Sequence, residues 1–336
     1  MASIKDVARK ADVSTTTVSH VVNHTRFVSD KVRSAVEDAI RELGYVPSAV
    51  ARSLKSNTTK TIGMLIPNCS NPYFAEIVRS VEDRCFGAGY TLILCNTDDD
   101  PHRQGAYLQV LSEKRIDGMI IISTGADKDL LSFLQGLPIP TVLLDREIDE
   151  ANCDLVETAH LQGGMMATDH LIGLGHRRIA CLAGPADLNS SAQRIEGWRT
   201  ALDRSGLSAE SADLLWHSDF SSQGGFSSMQ SILASSLAPT AVFVCNDLMS
   251  IGALSAAHEA GVRVPQDLSL IGFDDIELAR FASPALTTIA QPKQRIGIVA
   301  VDMVLERIQG GRVKARQVIL QPQLVVRNST SGSGLL

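Results

Sequence analysis

The chain has 336 residues, 44% of them hydrophobic and only 4% aromatic, with a formal net charge of −6. That length supplies two or three domains and an aliphatic core suited to an α/β protein, and no apolar run approaches the length needed to span a bilayer. The charge is segregated: residues 1–60 carry ten Lys/Arg against six Asp/Glu, and the remainder 21 against 31, so an acidic bulk would leave any contact with nucleic acid to the amino-terminal end.

That end reads as three short helices. Apolar residues recur at helical spacing through Ile4, Val7, Ala8 and Ala11 and again through Val18, Val21 and Val22, with a tight corner between them. Ser14 is placed to cap the second helix, so that Thr15, Thr16, Thr17, Ser19 and His20 project from the side away from the valines. Short polar side chains there let a helix enter a major groove deeply. Ser29 is placed to cap a third helix, with Val32, Val36, Ala39, Ile40 and Leu43 as its inner stripe and Gly44 as its stop. The pattern fits a helix-turn-helix DNA-reading head over 1–46, and from spacing alone it fits any small three-helix unit equally.

The segment from Ser3 to Asn23, with RFVSDKVRSAVEDAIRELGY after it and PSAVARSLK at 47–55, resembles the head and hinge helix of the LacI/GalR family of bacterial transcription regulators. The resemblance spans nearly the whole chain and implies roles residue by residue. Thr15, Thr16 and His20 would face base edges and Arg26 a base or phosphate. Arg52 and Lys55 would hold phosphates, and Leu54 would wedge into a base step of the minor groove and kink the duplex. The partner implied is a roughly palindromic double-stranded operator bound by a homodimer.

From Thr61 the text alternates β-branched runs with helical segments. Strands are expected at 61–67, 91–97, 118–123 and 141–146 with helices at 72–88, 102–115 and 127–136, then strands near 178–183, 241–245, 269–273 and 286–290 with helices near 160–173, 191–205, 222–234 and 248–260. Such repetition builds two doubly wound parallel-sheet lobes, an α/β fold. A last helix near 293–309 and the text RQVILQPQLVVR cross back between lobes, the layout of periplasmic sugar-binding proteins, which the family's core resembles. From that resemblance the first lobe is 62–160 plus 292–322 and the second 161–291 plus 323–328, after a hinge and linker at 47–60. The tail 329–336 has the composition of a flexible end.

Ligands of doubly wound sheets sit beyond the carboxyl ends of the strands, where this sequence places Asn71, Tyr73, Phe74, Asp145, Arg146, Arg194, Phe220, Asn246, Phe273, Asp274 and Gln291. Rings stack on the apolar faces of a sugar, and carboxylates, amides and guanidinium groups engage adjacent hydroxyls. Singly, each residue has a plainer reading: Asn71 before Pro72 starts a turn, Asp274 caps a helix, Phe74 and Phe220 fill a core. As the ordered set NPYF, LLDR, RxEG, DF, ND, GFD and IAQ they resemble the ribose-contacting positions of periplasmic ribose-binding proteins, which implies D-ribose as effector. A purine-responsive member of the family with the ligand as corepressor is the alternative. Against it stand Leu188 and Arg146, where such members carry an arginine and a tryptophan.

Other chemistries find little footing. His258-Glu259 lacks the second histidine a zinc helix needs, Val262 standing in its place, and no GxSxG elbow occurs. Gly173 and Gly175 follow a helix and read as its stop. Asp98, Asp99 and Asp100 read as a solvated loop, and adjacent Asp274 and Asp275 would point apart if extended. The six cysteines form no CxxC and read as reduced core thiols. The expectation is a cytoplasmic regulator with no catalytic residues, metal or cofactor; a secreted sugar-transport protein would need a leader and no head.

Overall fold

The computed structural model describes residues 2–23, 25–46, 58–122, 127–136, 139–145, 153–208, 213–312 and 314–333. They fall into two compact units, Met1–Thr59 and Lys60–Leu336. The expected hinge helix at 47–55, with Arg52, Leu54 and Lys55, lies outside the described residues, as does Arg146.

In the first unit, helices α1 (Ile4–Lys10), α2 (Thr15–Asn23) and α3 (Asp30–Leu43) enclose a small core in which Val7, Val18 and Val36 are fully buried. Each such side chain contributes about 1.5–3 kcal/mol, a large share for so few. A reciprocal Ser3–Asp6 capping box starts α1, and Ser14 Oγ accepts from the Thr17 amide at 3.1 Å to start α2. Ser29 occupies the cap position of α3 with extended backbone but makes no side-chain capping bond. Gly44, at φ +58°, ends that helix in the left-handed conformation glycine tolerates best.

The second unit opens with β1 (Thr61–Ile66), α4 (Pro72–Gly87), β2 (Thr91–Asn96), α5 (Pro101–Glu113), β3 (Gly118–Ile122), α6 (Asp127–Gly136), β4 (Thr141–Leu144) and β5 (Asp154–Thr158). It continues through α7 (His160–Gly173), β6 (Ile179–Ala183), α8 (Asn189–Arg204), β7 (Leu215–His217), α9 (Ser222–Ala234), β8 (Ala241–Val244), α10 (Asp247–Glu259) and β9 (Ser269–Asp274). A 3-10 turn at Glu277–Arg280, β10 (Thr287–Ala290), α11 (Lys293–Ile308), β11 (Gln317–Leu320) and β12 (Gln323–Val325) complete it. Two six-stranded sheets result, ordered β11-β5-β4-β3-β1-β2 and β12-β10-β9-β8-β6-β7. The central strands are buried along nearly their whole length because helices cover both faces. The chain passes between the sheets at 158–160, 290–293 and 320–323, so the first sheet borrows its edge strand β11 from far along the sequence.

Several expectations need correction. Strands β5 and β7 were not anticipated. The first carries Asp154, which is fully buried because Arg307 and Arg312 reach its carboxylate; the second is a three-residue edge strand. The sheets are parallel except where β12 pairs antiparallel with β10. The tail, expected as a flexible end, is packed against the surroundings of the second sheet through hydrogen bonds at 329–333. Ser329 is fully buried, its hydroxyl donating to the Leu270 carbonyl at 2.6 Å and accepting from the Thr287 amide at 2.8 Å, and the Ser333 amide donates to the Leu174 carbonyl. Asp274 and Asp275 are not extended, with φ of +116° and +54°. They still part company: Asp274 accepts from Gln291 and Asp275 pairs with Arg327. Among the described residues no helix is long and apolar enough to cross a membrane.

Candidate functional site

The strand ends converge on a cleft of about 80 Å³, room for one small ligand. Asn71, Tyr73 and Phe74 reach it from the start of α4, and Asp145 from the end of β4. Arg194 from α8, Phe220 from before α9, Asn246 from before α10 and Asp274 from the end of β9 close the other side. Ile122, Leu144, Leu188, Asn189 and Ser190 line it too. Of these only Leu188 had drawn notice in the sequence, and the others carry no pattern that separates them from core or helix-start residues.

Two expected residues do not line the cleft. Phe273 is fully buried and its ring lies under Arg194, whose guanidinium carbon is 3.9 Å from the ring centroid. Gln291 is buried behind Tyr73, its Oε1 3.1 Å from the hydroxyl oxygen, and donates to Asp274 Oδ1 at 2.8 Å. Both act on groups that do face the ligand space.

Backbone conformation is unusual here. Asp145, Phe220 and Asp274 have φ of +54°, +63° and +116°, a cluster of disfavoured conformations of the kind held at functional sites. Phe220 keeps its place because Gly184, just past β6, leaves room for it: a Cβ on Gly184 would stand 2.1 Å from the ring. Asn71 and Asn246 do double duty, each capping the helix that follows it while bordering the cleft, so the plainer reading of Asn71 as a turn starter and the site reading hold together.

The polar groups form one connected circuit. Tyr73 donates to Asp145 Oδ2 at 2.8 Å, while Asp145 Oδ1 accepts from the Thr158 amide at 3.0 Å and lies 3.2 Å from His160 Nε2. Arg194 Nε meets His160 Nδ1 at 3.3 Å, and its Nη1 stands 3.9 Å from Asp274 Oδ1. Burial pushes the Asp145 carboxyl up, but His160, the Thr158 amide and the Tyr73 hydroxyl outweigh it and hold the group below the ordinary carboxylate value. Burial pushes Asp274 up to about 6, only partly offset by Arg194, Gln291 and Lys293. Burial, with the charges of Asp145 and Asp274, keeps the Tyr73 hydroxyl well above its usual value, so it remains a donor. The histidine at 160 was missed in the sequence, where a lone His at a helix start carries no signal.

In the first unit, Thr15 and Thr16 are exposed at the start of α2 and Arg26 is exposed beyond it. His20 is oriented by a 2.7 Å hydrogen bond between its Nδ1 and Thr25 Oγ1. Phe27, next to Arg26, is 93% exposed and had not been singled out.

Residues 3–48 match the family model described as bacterial regulatory proteins, lacI family, and residues 168–330 match the periplasmic binding protein-like domain. The chain is 46% identical to the HTH-type transcriptional repressor PurR of Edwardsiella ictaluri (strain 93-146), covering 98% of this chain and 97% of that protein. It is 46% identical to the ribose operon repressor of Escherichia coli (strain K12), covering 98% and 100%. Among solved structures, the Lac repressor dimer bound to operator and the anti-inducer ONPF matches with a TM-score of 0.89 at 32% identity, covering 98% and 99%. A LacI family transcriptional regulator from Enterococcus faecium with bound ribose matches with a TM-score of 0.74 at 33% identity, covering 81% and 99%. Head, sheets and relatives agree: the chain belongs to the lacI family of bacterial regulatory proteins, and it is a DNA-binding transcriptional repressor rather than an enzyme.

Proposed function

We propose that this repressor holds a pentose, D-ribose foremost, in the cleft, and that pentose binding releases it from a roughly palindromic operator. The observation that carries the reading is the chemistry of the cleft. Asp145, Arg194 and Asp274 are held by fixed partners, with Phe74 and Phe220 on the walls. A sugar hydroxyl is both donor and acceptor, and carboxylates and a guanidinium each take two adjacent ones with little waste. The ribose-bound relative supports the same ligand class.

A second reading, a purine acting as corepressor, is kept by the equal identity to the repressor named PurR. The Leu188 side chain in the cleft lining offers no hydrogen bond to such a base. Calorimetry separates the two: heat with D-ribose and none with guanine or hypoxanthine supports the pentose, and the reverse overturns it.

On the DNA side, Thr15, Thr16 and His20 read base edges, Arg26 a base or phosphate, Arg52 and Lys55 phosphates, and Leu54 opens a base step. Residues 1–46 form the DNA-binding domain, 47–60 the hinge and linker, and 61–328 the effector and dimerisation domain. A homodimer follows from the symmetry of a palindromic site and has support in the Lac repressor dimer. Release requires that ribose bind the DNA-free arrangement more tightly than the DNA-bound one, a coupling of about 1–3 kcal/mol.

A further inference from the structure

His160 belongs to the polar circuit but, like Gln291, does not line the cleft. It is 1% exposed, and it is the first residue of α7, at the end of the segment 158–160 that passes from the first sheet to the second. Its two ring nitrogens face opposite lobes. Nε2 lies 3.2 Å from Asp145 Oδ1, beyond the end of β4 in the first lobe. Nδ1 lies 3.3 Å from both Nε and Nη2 of Arg194, on α8 in the second.

A guanidinium can only donate. Nδ1 must therefore be the bare acceptor, which places the ring proton on Nε2, where it donates to the carboxylate. The other neighbour is the ring of Phe273, its centroid 5.9 Å away and tilted by 37°. The charged groups facing the imidazole are Asp145 and Arg194, and a second ring proton would set Nδ1–H against the guanidinium N–H groups. Burial favours the neutral ring in the same direction.

We infer that His160 is a positioning residue of the effector site: as a single neutral tautomer it ties Asp145 of one lobe to Arg194 of the other, so that a ligand between them meets both groups already oriented. The inference rests on the reading of the cleft as a sugar site. It gives the crossing segment a direct part in binding, because the Thr158 amide grips the same carboxylate oxygen two residues earlier. A merely space-filling histidine would need neither a fixed tautomer nor partners in both lobes.

The test joins two measurements on the full chain. Nitrogen-15 imidazole NMR of the sugar-free protein at pH 7.5 should find His160 neutral with its proton on Nε2. A proton on Nδ1, or a charged ring, overturns the assignment without reference to any ligand. Calorimetry with D-ribose should then show at least a tenfold loss of affinity in His160→Leu and a smaller loss in His160→Gln, whose amide keeps a donor and an acceptor. Wild-type affinity in His160→Leu overturns the positioning role. If the wild-type protein gives no heat with D-ribose, the sugar reading fails by itself, and the same variants are titrated with hypoxanthine while the NMR result stands as the test of the tautomer.

Discussion

Arg194 lies over the ring of Phe273 at 3.9 Å from its centroid while its Nη1 stands 3.9 Å from Asp274 Oδ1. The ring packs under the guanidinium and does not line the cleft, and the guanidinium stands between a histidine and a carboxylate. A flexible ammonium cannot reproduce a planar group that stacks and donates along two edges. Arg194→Lys should lower D-ribose affinity by ten- to a hundredfold in calorimetry; an unchanged affinity would show that the stack does not set the cleft.

The Asp274 carboxyl, pushed up to about 6 by burial, gives a pH signature with two opposite faces. Its folded-state value lies above the unfolded one, so this group's stabilisation is full below about pH 4 and is lost as pH rises through 6. Holding the carboxylate ionised and buried at neutral pH costs about 3 kcal/mol. Asp274→Asn should therefore melt at a higher temperature than the wild type at pH 7.5, the difference shrinking towards pH 4, yet it should bind D-ribose far more weakly. Wild-type ribose affinity should fall as pH drops from 7.5 to 5.5. A variant that melts lower at pH 7.5 would contradict this balance.

Gly184 is the space into which the Phe220 ring fits. Gly184→Ala puts a methyl into that ring and should displace it, lowering ribose affinity at least tenfold while operator binding in the absence of sugar persists. Equal ribose affinity would mean that the ring has no part in the cleft.

Ser329 supplies both a donor and an acceptor to buried backbone. Removing its hydroxyl strands the Thr287 amide, which costs about 1–3 kcal/mol. Thermal denaturation of Ser329→Ala should report a loss of that size, and no loss would return the tail to a frayed end.

Much of this was legible because local pattern and tertiary demand coincide. Ser14, Gly44 and the valine spacing state the head without help from distant residues, and the buried β-branched runs at 61–66, 118–122 and 141–144 are strands in any context that covers both faces. The cleft was read as a set of strand-end residues, since in a doubly wound sheet those ends share one side. What stayed hidden depends on partners far along the chain. Asp154 makes β5 look like a loop until Arg307 and Arg312 neutralise it, the tail looks polar until Ser329 is seen to bond with Leu270 and Thr287, and His160 gains meaning only from Asp145 and Arg194.

If a pentose in the cleft governs operator occupancy, footprinting of the purified protein on the DNA upstream of its own coding region must respond to the sugar. D-ribose should weaken protection by roughly 5- to 150-fold, the range of ordinary allosteric coupling, with guanine and hypoxanthine without effect. Protection that ribose leaves unchanged, or that a purine strengthens, would contradict the account.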